Sequence, residues 1–306
     1  MILCLGATPV YQRTMVFDRV TIDAVNRATR VTDYASGKSI NVARVVHSLG
    51  QDATATGFAG GRGGEMLRQD LDAAGIRHDF VIVGVQTRQC ITVIDRAAGT
   101  ATELVEESLA VEPSAWEELS GKLRQLLPRA RVWVFSGTLP PGAPADFYAR
   151  WLPLARELDA KAIIDARGEP LQLAMRHPNG ILKINRQELA ATLEADLRDE
   201  SKLTEAMLRH TPPKGWLIVT LGAAGAIASD GKSCWHVSSP KVCAASAIGS
   251  GDAFAAGLAV ALDRLQDLRE GLKLAAACGA ANAITELAGH VDTRQVQRFL
   301  SEIEMT

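Results

Sequence analysis

Net charge is nearly absent from this chain: 33 Lys and Arg stand against 35 Asp and Glu, interspersed, for a formal charge of −2. No basic field exists to hold nucleic acid or an anionic membrane, so any phosphate-bearing ligand needs a local site. Long apolar runs are missing too. None approaches the ~18 residues of a membrane span, and the opening MILCLG reads as a short strand without the basic stretch of a secretory leader. The cytoplasm is the expected compartment. Cys4, Cys90, Cys234, Cys243 and Cys278 are odd in number, scattered, and form no C-x-x-C pair, so neither a disulfide framework nor a zinc knuckle is suggested and reduced, buried thiols are expected. His47, His78, His177, His210, His236 and His290 show no metal-ligand spacing. No G-x-G-x-x-G follows Ile2–Leu5, which argues against a dinucleotide-dependent oxidoreductase. Repeats, low-complexity runs and long linkers are absent as well.

What the chain does have is alternation. Short β-rich apolar runs recur at Ile2–Leu5, Thr54–Phe58, Val132–Phe135, Ala162–Ile164, Gly180–Ile184 and Leu217–Leu221. Helical spacing marks Ile40–Leu49, Met66–Ala74, Ala115–Leu127, Asp146–Leu158 and Glu188–Leu193, then Asp252–Leu262, Leu268–Leu287 and Thr293–Glu302. Near-continuous apolar strands between helices predict a doubly wound, mostly parallel α/β sheet covered on both faces. Thr14–Ala35 and Gln89–Glu107 break the alternation as extended, alternating segments, and together predict a small sheet serving as a lid. The whole chain, residues 1–306, reads as one such domain, with lid strands inserted at about 9–36 and 87–107.

Four segments carry candidate chemistry. In Ile248-Gly249-Ser250-Gly251-Asp252-Ala253-Phe254 a small-residue turn enters an apolar helix, a geometry that aims backbone N–H groups and the positive helix end at one spot. Charge on a transferring phosphoryl group would be stabilised there, and Asp252 beside it could accept a proton from an attacking hydroxyl; an ordinary N-cap is the alternative. Ser36-Gly37-Lys38-Ser39-Ile40-Asn41 fails as a P-loop, because Thr32 stands where a Gly is required, but it can still bind an anion or sugar hydroxyls, or merely cap a helix. Lys183-Ile184-Asn185-Arg186-Gln187-Glu188 places Asn185 and Glu188 three residues apart, either as oxygen ligands for Mg²⁺ through water or as a capping box. Val219-Thr220-Leu221-Gly222-Ala223-Ala224-Gly225-Ala226 is a strand, a Gly-rich turn and a new strand, which would let a nucleotide approach the backbone or simply make a tight turn.

In this order and at these separations the four segments resemble the ribokinase-like (PfkB) carbohydrate kinase family, and within it the 1-phosphofructokinase and tagatose-6-phosphate kinase branch. Thr8-Pro9, Gly57–Gly61, Thr87-Arg88-Gln89-Cys90 and Ser136-Gly137-Thr138-Leu139-Pro140 extend the likeness over nearly the whole chain. The resemblance implies a ribokinase-like fold with a β-sheet lid and, in many members, a homodimer formed through the lids. It implies ATP held by Thr220, Gly222, Gly225 and Gly251, with Lys183, Asn185 and Asn282 nearby, and Mg²⁺ organised through water by Asn185 and Glu188. It makes Asp252 the catalytic base and Gly249, Ser250 and Gly251 the anion hole. Gln12, Gly37, Asn41 and Ser136 fall at acceptor positions, and Lys38 and Arg88 match residues that grip a phosphate already on the sugar, a task a Lys and Arg pair suits.

The departures from the family pattern all lie on the acceptor side. Gln12 stands where an Asp is usual, Ser36 and Ser39 replace glycines, Pro141 replaces a Lys or Arg, and Ala247 replaces Thr, Val or Pro. They predict an altered acceptor with the transfer machinery kept. An unphosphorylated sugar, sugar acid or nucleoside is the alternative acceptor, and a catalytically silent sugar-phosphate or nucleotide sensor the alternative class. Arg62, Arg27 and Arg30 are further candidates to reach substrate, each against a plain loop or lid role. Asp165 ends a strand at the ligand edge and is read as stabilising a loop there.

Overall fold

A computed structural model describes all residues, 1–306. The strands are β1 (Ile2–Gly6), β2 (Val10–Phe17), β3 (Arg30–Ser36), β4 (Ala53–Gly60), β5 (Arg77–His78), β6 (Val81–Val83), β7 (Gln89–Asp95), β8 (Thr100–Val105), β9 (Val132–Ser136), β10 (Lys161–Asp165), β11 (Ile181–Asn185), β12 (Trp216–Thr220), β13 (Ala226–Ser229) and β14 (Cys234–Val237). The helices are α1 (Lys38–Ser48), α2 (Gly61–Ala73), α3 (Pro113–Leu126), α4 (Leu152–Glu157), α5 (Glu169–Met175), α6 (Arg186–Leu193), α7 (Glu200–His210), α8 (Ser250–Asp263), α9 (Leu268–Ala283) and α10 (Thr293–Leu300).

Main-sheet order is β14-β13-β12-β11-β10-β9-β1-β4-β5, with β6 also on β4. Every pairing from β12 to β5 is parallel, and β13 and β14 add antiparallel strands at one edge. Side chains alternate between two cores. Ile2, Cys4, Val132 and Val134 face the layer of α1, α2, α8, α9 and α10, while Leu3, Leu5, Trp133 and Phe135 face α3 to α7. Both faces are buried, which is why the strands read as continuous apolar runs. Chain order reverses between β1 and β9, and the loops after these two strands part there to open a crevice. α8 is buried nearly all round, and its alanines and Gly257 let α9 pack closely against it.

The small sheet runs β3-β2-β7-β8 and stands apart from the main one. Register puts Tyr34, Gln12, Cys90 and Val105 in one row and Thr32, Thr14, Thr92 and Glu103 in the next, both on the inner face. Met15, Val31, Ile91, Val93 and Leu104 project from the opposite face.

Local differences from expectation have local causes. The helix expected over Asp146–Leu158 is regular only from Leu152, after a short 3₁₀ turn at Ala149–Trp151. Pro153 explains this, because proline is accepted in the first helical turn and not deeper. Arg62, weighed against a loop role, instead lies in the first turn of α2, where Gly63 and Gly64 let the helix lie against Thr87. α9 ends at Ala283, short of Leu287, and the chain turns so that Thr285 Oγ1 bonds the carbonyl oxygen of Asn282 at 2.9 Å. α5, α7, β5, β6 and β14 lie outside the expected elements.

Candidate active site

The crevice widens into a cavity of about 840 Å³, within the range of small-molecule sites, which run to roughly 1,000 Å³. One wall is the start of α8. Gly249 precedes it at φ +84°, a left-handed conformation open to glycine, and a Cβ there would lie 2.8 Å from that of Ala288. Within the protein the amides of Gly249, Gly251 and Asp252 have no acceptor, so the turn presents unpaired N–H groups at the positive end of a buried helix. Gly249→Ala is expected to abolish measurable turnover while circular dichroism stays native, since the steric conflict is confined to this turn.

Asp252, only 7% exposed, sits in that first turn. Asn41 Nδ2 donates to its Oδ2 at 2.8 Å, and Ser36 Oγ donates to Asn41 Oδ1 at 2.9 Å. Burial raises the Asp252 carboxyl and nearby Lys38 only partly offsets it, leaving the group at about 6. A carboxylate tuned this close to neutrality suits a general base.

Facing it are two lysines joined by one carboxylate. Asp165 is fully buried and bonds Lys38 Nζ at 2.7 Å and Lys183 Nζ at 2.6 Å. Burial alone would raise the Asp165 carboxyl, but Lys183 and Lys38 outweigh it and hold the group at about 2. Burial likewise pulls Lys38 down, and the charges of Asp165, Glu188 and Asp252 more than reverse it, so Lys38 is raised above its ordinary value. Lys183 Nζ lies 2.8 Å from where a Gly251 Cβ would be, directly over the turn.

Asn185 and Glu188 form the capping box that was one of the two sequence readings. Asn185 Oδ1 accepts from the Glu188 amide at 2.8 Å, and Glu188 Oε2 accepts from the Asn185 amide at 3.5 Å. Glu188 Oε1 remains on the cavity side, 3.7 Å from Lys38 Nζ. No three His, Cys, Asp or Glu residues cluster as a metal cage. One free hard oxygen fits Mg²⁺ held mainly by water and ligand phosphates.

Farther along the cavity, Thr220, Gly222 and Gly225 lie beside the segment Ser239–Ala247 and the small residues Ala276, Gly279, Ala280 and Ala283 of α9. Gly225, at φ +90°, brings its backbone against the carbonyl of Val237 and closes the β12–β13 turn tightly. At the opposite end lie Gln12, Gly37, Ser136, Thr138 and Arg88. Gln12 Nε2 donates to Thr92 Oγ1 at 2.9 Å. Arg88 is pinned by the carbonyls of Glu106 at 3.1 Å and Thr8 at 3.4 Å, which leaves other guanidinium N–H groups free. Ser136 Oγ is buried at the cavity wall without a partner.

Most residues singled out in the sequence therefore meet in one cavity. Asn282 does not line it: fully buried, it donates to the Ile248 carbonyl at 2.9 Å and Ser250 Oγ at 3.4 Å and accepts from the Gly289 amide at 2.8 Å, bracing the turn from behind. Asn41 and Gly37 do line it, but the Asn41 side chain is occupied by Ser36 and Asp252. Arg62 and Arg27 are exposed outside it, and Arg30 pairs with Glu286. Glu286 also receives Arg96 Nη2 at 3.3 Å, and Tyr34 Oη accepts from the Ala288 amide at 3.1 Å, so three lid residues rest on the loop after α9 that touches Gly249. Glu103, Glu107 and Arg167 also line the cavity and were not singled out. For Arg167 a signal existed in its place two residues after Asp165 at the strand edge; for the two glutamates there was none.

The pfkB family carbohydrate kinase model matches residues 1–293. A tagatose-6-phosphate kinase of Staphylococcus epidermidis is 31% identical over 309 aligned positions, covering 100% of this chain and 99% of the relative. Phosphofructokinase-2 from Escherichia coli, solved with fructose-6-phosphate, superposes with a TM-score of 0.87 at 26% identity, covering 98% of each chain. Arabidopsis thaliana ribokinase, solved with ribose and ATP, shares the fold at a TM-score of 0.74 and 17% identity, again over 98% of each chain. With its crevice at the strand-order reversal and its glycine turn at the head of a buried helix, this chain belongs to the pfkB family of carbohydrate kinases and has its ribokinase-like α/β fold.

Proposed function

We propose that the protein transfers a phosphoryl group from ATP to a hydroxyl of a phosphorylated ketohexose, in the manner of the tagatose-6-phosphate kinases and phosphofructokinases it is similar to. The observation that carries this reading is the pairing of Asp252 with the acceptor-free amides of Gly251 and Asp252 at the start of α8. The Gly222–Gly225 turn and the slot beside Ala276–Ala283 take the nucleotide, and the acceptor lies between Asp252 and the lid.

Asp252, oriented by Asn41, accepts the hydroxyl proton as the acceptor oxygen bonds to phosphorus and the bond from phosphorus to the leaving ADP oxygen breaks. The amides of the Gly249–Gly251 turn, with Lys183 over it and Lys38 beside it, meet the charge on the transferring group. Asp165 holds both ammonium groups in place, so Lys38 points toward the transfer point and Arg88 is left as the main grip on a phosphate carried by the acceptor. Mg²⁺ held through water near Glu188 would add positive charge at the nucleotide phosphates. The outer lid face, with Met15, Val31 and Leu104, suits pairing with a second copy of the chain.

Turnover of tagatose 6-phosphate, fructose 6-phosphate, fructose 1-phosphate and their unphosphorylated sugars tests the reading. Phosphorylated acceptors are expected to win. Arg88→Ala should raise KM for them roughly tenfold or more, the scale of a charge-assisted hydrogen bond, without changing KM for ATP. Exclusive turnover of free sugars would refute the reading.

A further inference from the structure

The lid side of the acceptor pocket carries a carboxylate without a partner in the protein. Gln12, 3% exposed, lines the cavity, and one N–H of its amide donates to Thr92 Oγ1 at 2.9 Å, which leaves its carbonyl oxygen and its second N–H. Glu103 projects from β8 in the inner-face row that contains Thr92, which places it diagonally across from Gln12, and it lines the same cavity. Its carboxylate makes no hydrogen bond or ion pair in the protein, and partial burial raises it while Arg88 pulls the other way. An ionised carboxylate has only acceptors to offer. A ligand group completing Glu103 must donate. Phosphate oxygens cannot, and like charge would push them away from Glu103. Hydroxyl groups can.

We propose that Glu103 is a specificity-determining residue that accepts hydrogen bonds from hydroxyls of the acceptor, so that the hydroxyl-bearing stretch of the sugar lies under the lid and its phosphate is held by Arg88 on the side of the loop after β9. The assignment rests on the sugar-phosphate kinase reading and deepens it by orienting the substrate. It explains how a lid with a neutral residue at position 12 still selects a polyol: the carboxylate is supplied from β8.

The test compares wild type, Glu103→Gln and Glu103→Ala with the best phosphorylated ketohexose of the panel above and with its singly deoxygenated analogues. Glu103 is exposed on a lid strand and outside both cores, so the variants should fold, and an unchanged KM for ATP serves as the control. Glu103→Ala is expected to raise acceptor KM about tenfold to a hundredfold, the scale of a hydrogen bond to a charged group. Glu103→Gln, which keeps an acceptor oxygen, should be intermediate. One deoxy analogue should lose the same factor on wild type and nothing further on Glu103→Ala. A lower acceptor KM in Glu103→Ala would mean the carboxylate repels a phosphate there, and equal deoxy penalties in both enzymes would mean no hydroxyl reaches it. Either result overturns the assignment and leaves the kinase reading standing. Failure of wild type to phosphorylate any phosphorylated acceptor overturns the reading itself, and this assignment with it.

Discussion

Asp252→Asn is expected to lower kcat at least about a hundredfold, the scale of a lost general base, while KM for ATP stays near the wild-type value. The substitution keeps the shape of the side chain and can keep a hydrogen bond to Asn41, so what it removes is the ability to take a proton. The pH profile of the wild type provides a second check. The Asp252 carboxyl is raised to about 6 by burial, and only its ionised form accepts a proton. kcat/KM for the acceptor should therefore fall as the pH drops through about 6 and be flat above it until another group titrates. A variant that turns over at a comparable rate, or a profile with no acid limb near that pH, would remove Asp252 from the role of base.

The second large effect concerns Asp165. Asp165→Asn leaves Lys38 and Lys183 beside each other without the carboxylate that joins them, with Lys183 only 4% exposed. Removing one partner of a buried ion pair costs about 3–5 kcal/mol because the remaining charge has no compensation. A loss of that size should appear in the urea midpoint. Activity should fall further than stability explains, since both ammonium groups lose the bond that aims them at the transfer point. The sign with pH follows from the folded-state carboxyl lying at about 2, below its ordinary value of about 4. The stabilisation is fully present above about 4 and is lost as the pH falls toward about 2. A variant as stable as wild type at neutral pH would show that the bridge contributes nothing.

The main sheet was legible in the sequence because its parallel strands are covered on both faces and so spell uninterrupted apolar runs such as Val132–Phe135. The lid was legible for the opposite reason, since Gln89–Asp95 alternates between a cavity side and an outer side. The Gly249–Asp252 turn was visible through its composition, small residues ahead of an apolar helix. Relations between distant segments were not. Nothing local says that Asp165 holds two lysines lying 127 and 18 residues away, or that Asn282 serves the back of the turn and not the cavity. Glu103 was hidden because it reads as a charged residue on an exposed edge strand, and only the register of β7 with β8 turns it inward. The Asn185–Glu188 spacing had two meanings, and the geometry satisfies the cap while leaving one oxygen toward the cavity.

The loop after α9 has a consequence for fidelity. Arg30 and Arg96 grip Glu286, Tyr34 holds the Ala288 amide, and Gly249 lies against Ala288. If the small sheet swung outward it would have to let go of this loop, and with it the contact behind the Gly249 turn. On the proposed reading, water, which cannot hold the lid down, would then meet an unfinished catalyst, whereas a sugar that draws the lid inward would finish it on arrival. Wasteful hydrolysis of ATP would thereby be discouraged by architecture, without any residue dedicated to preventing it.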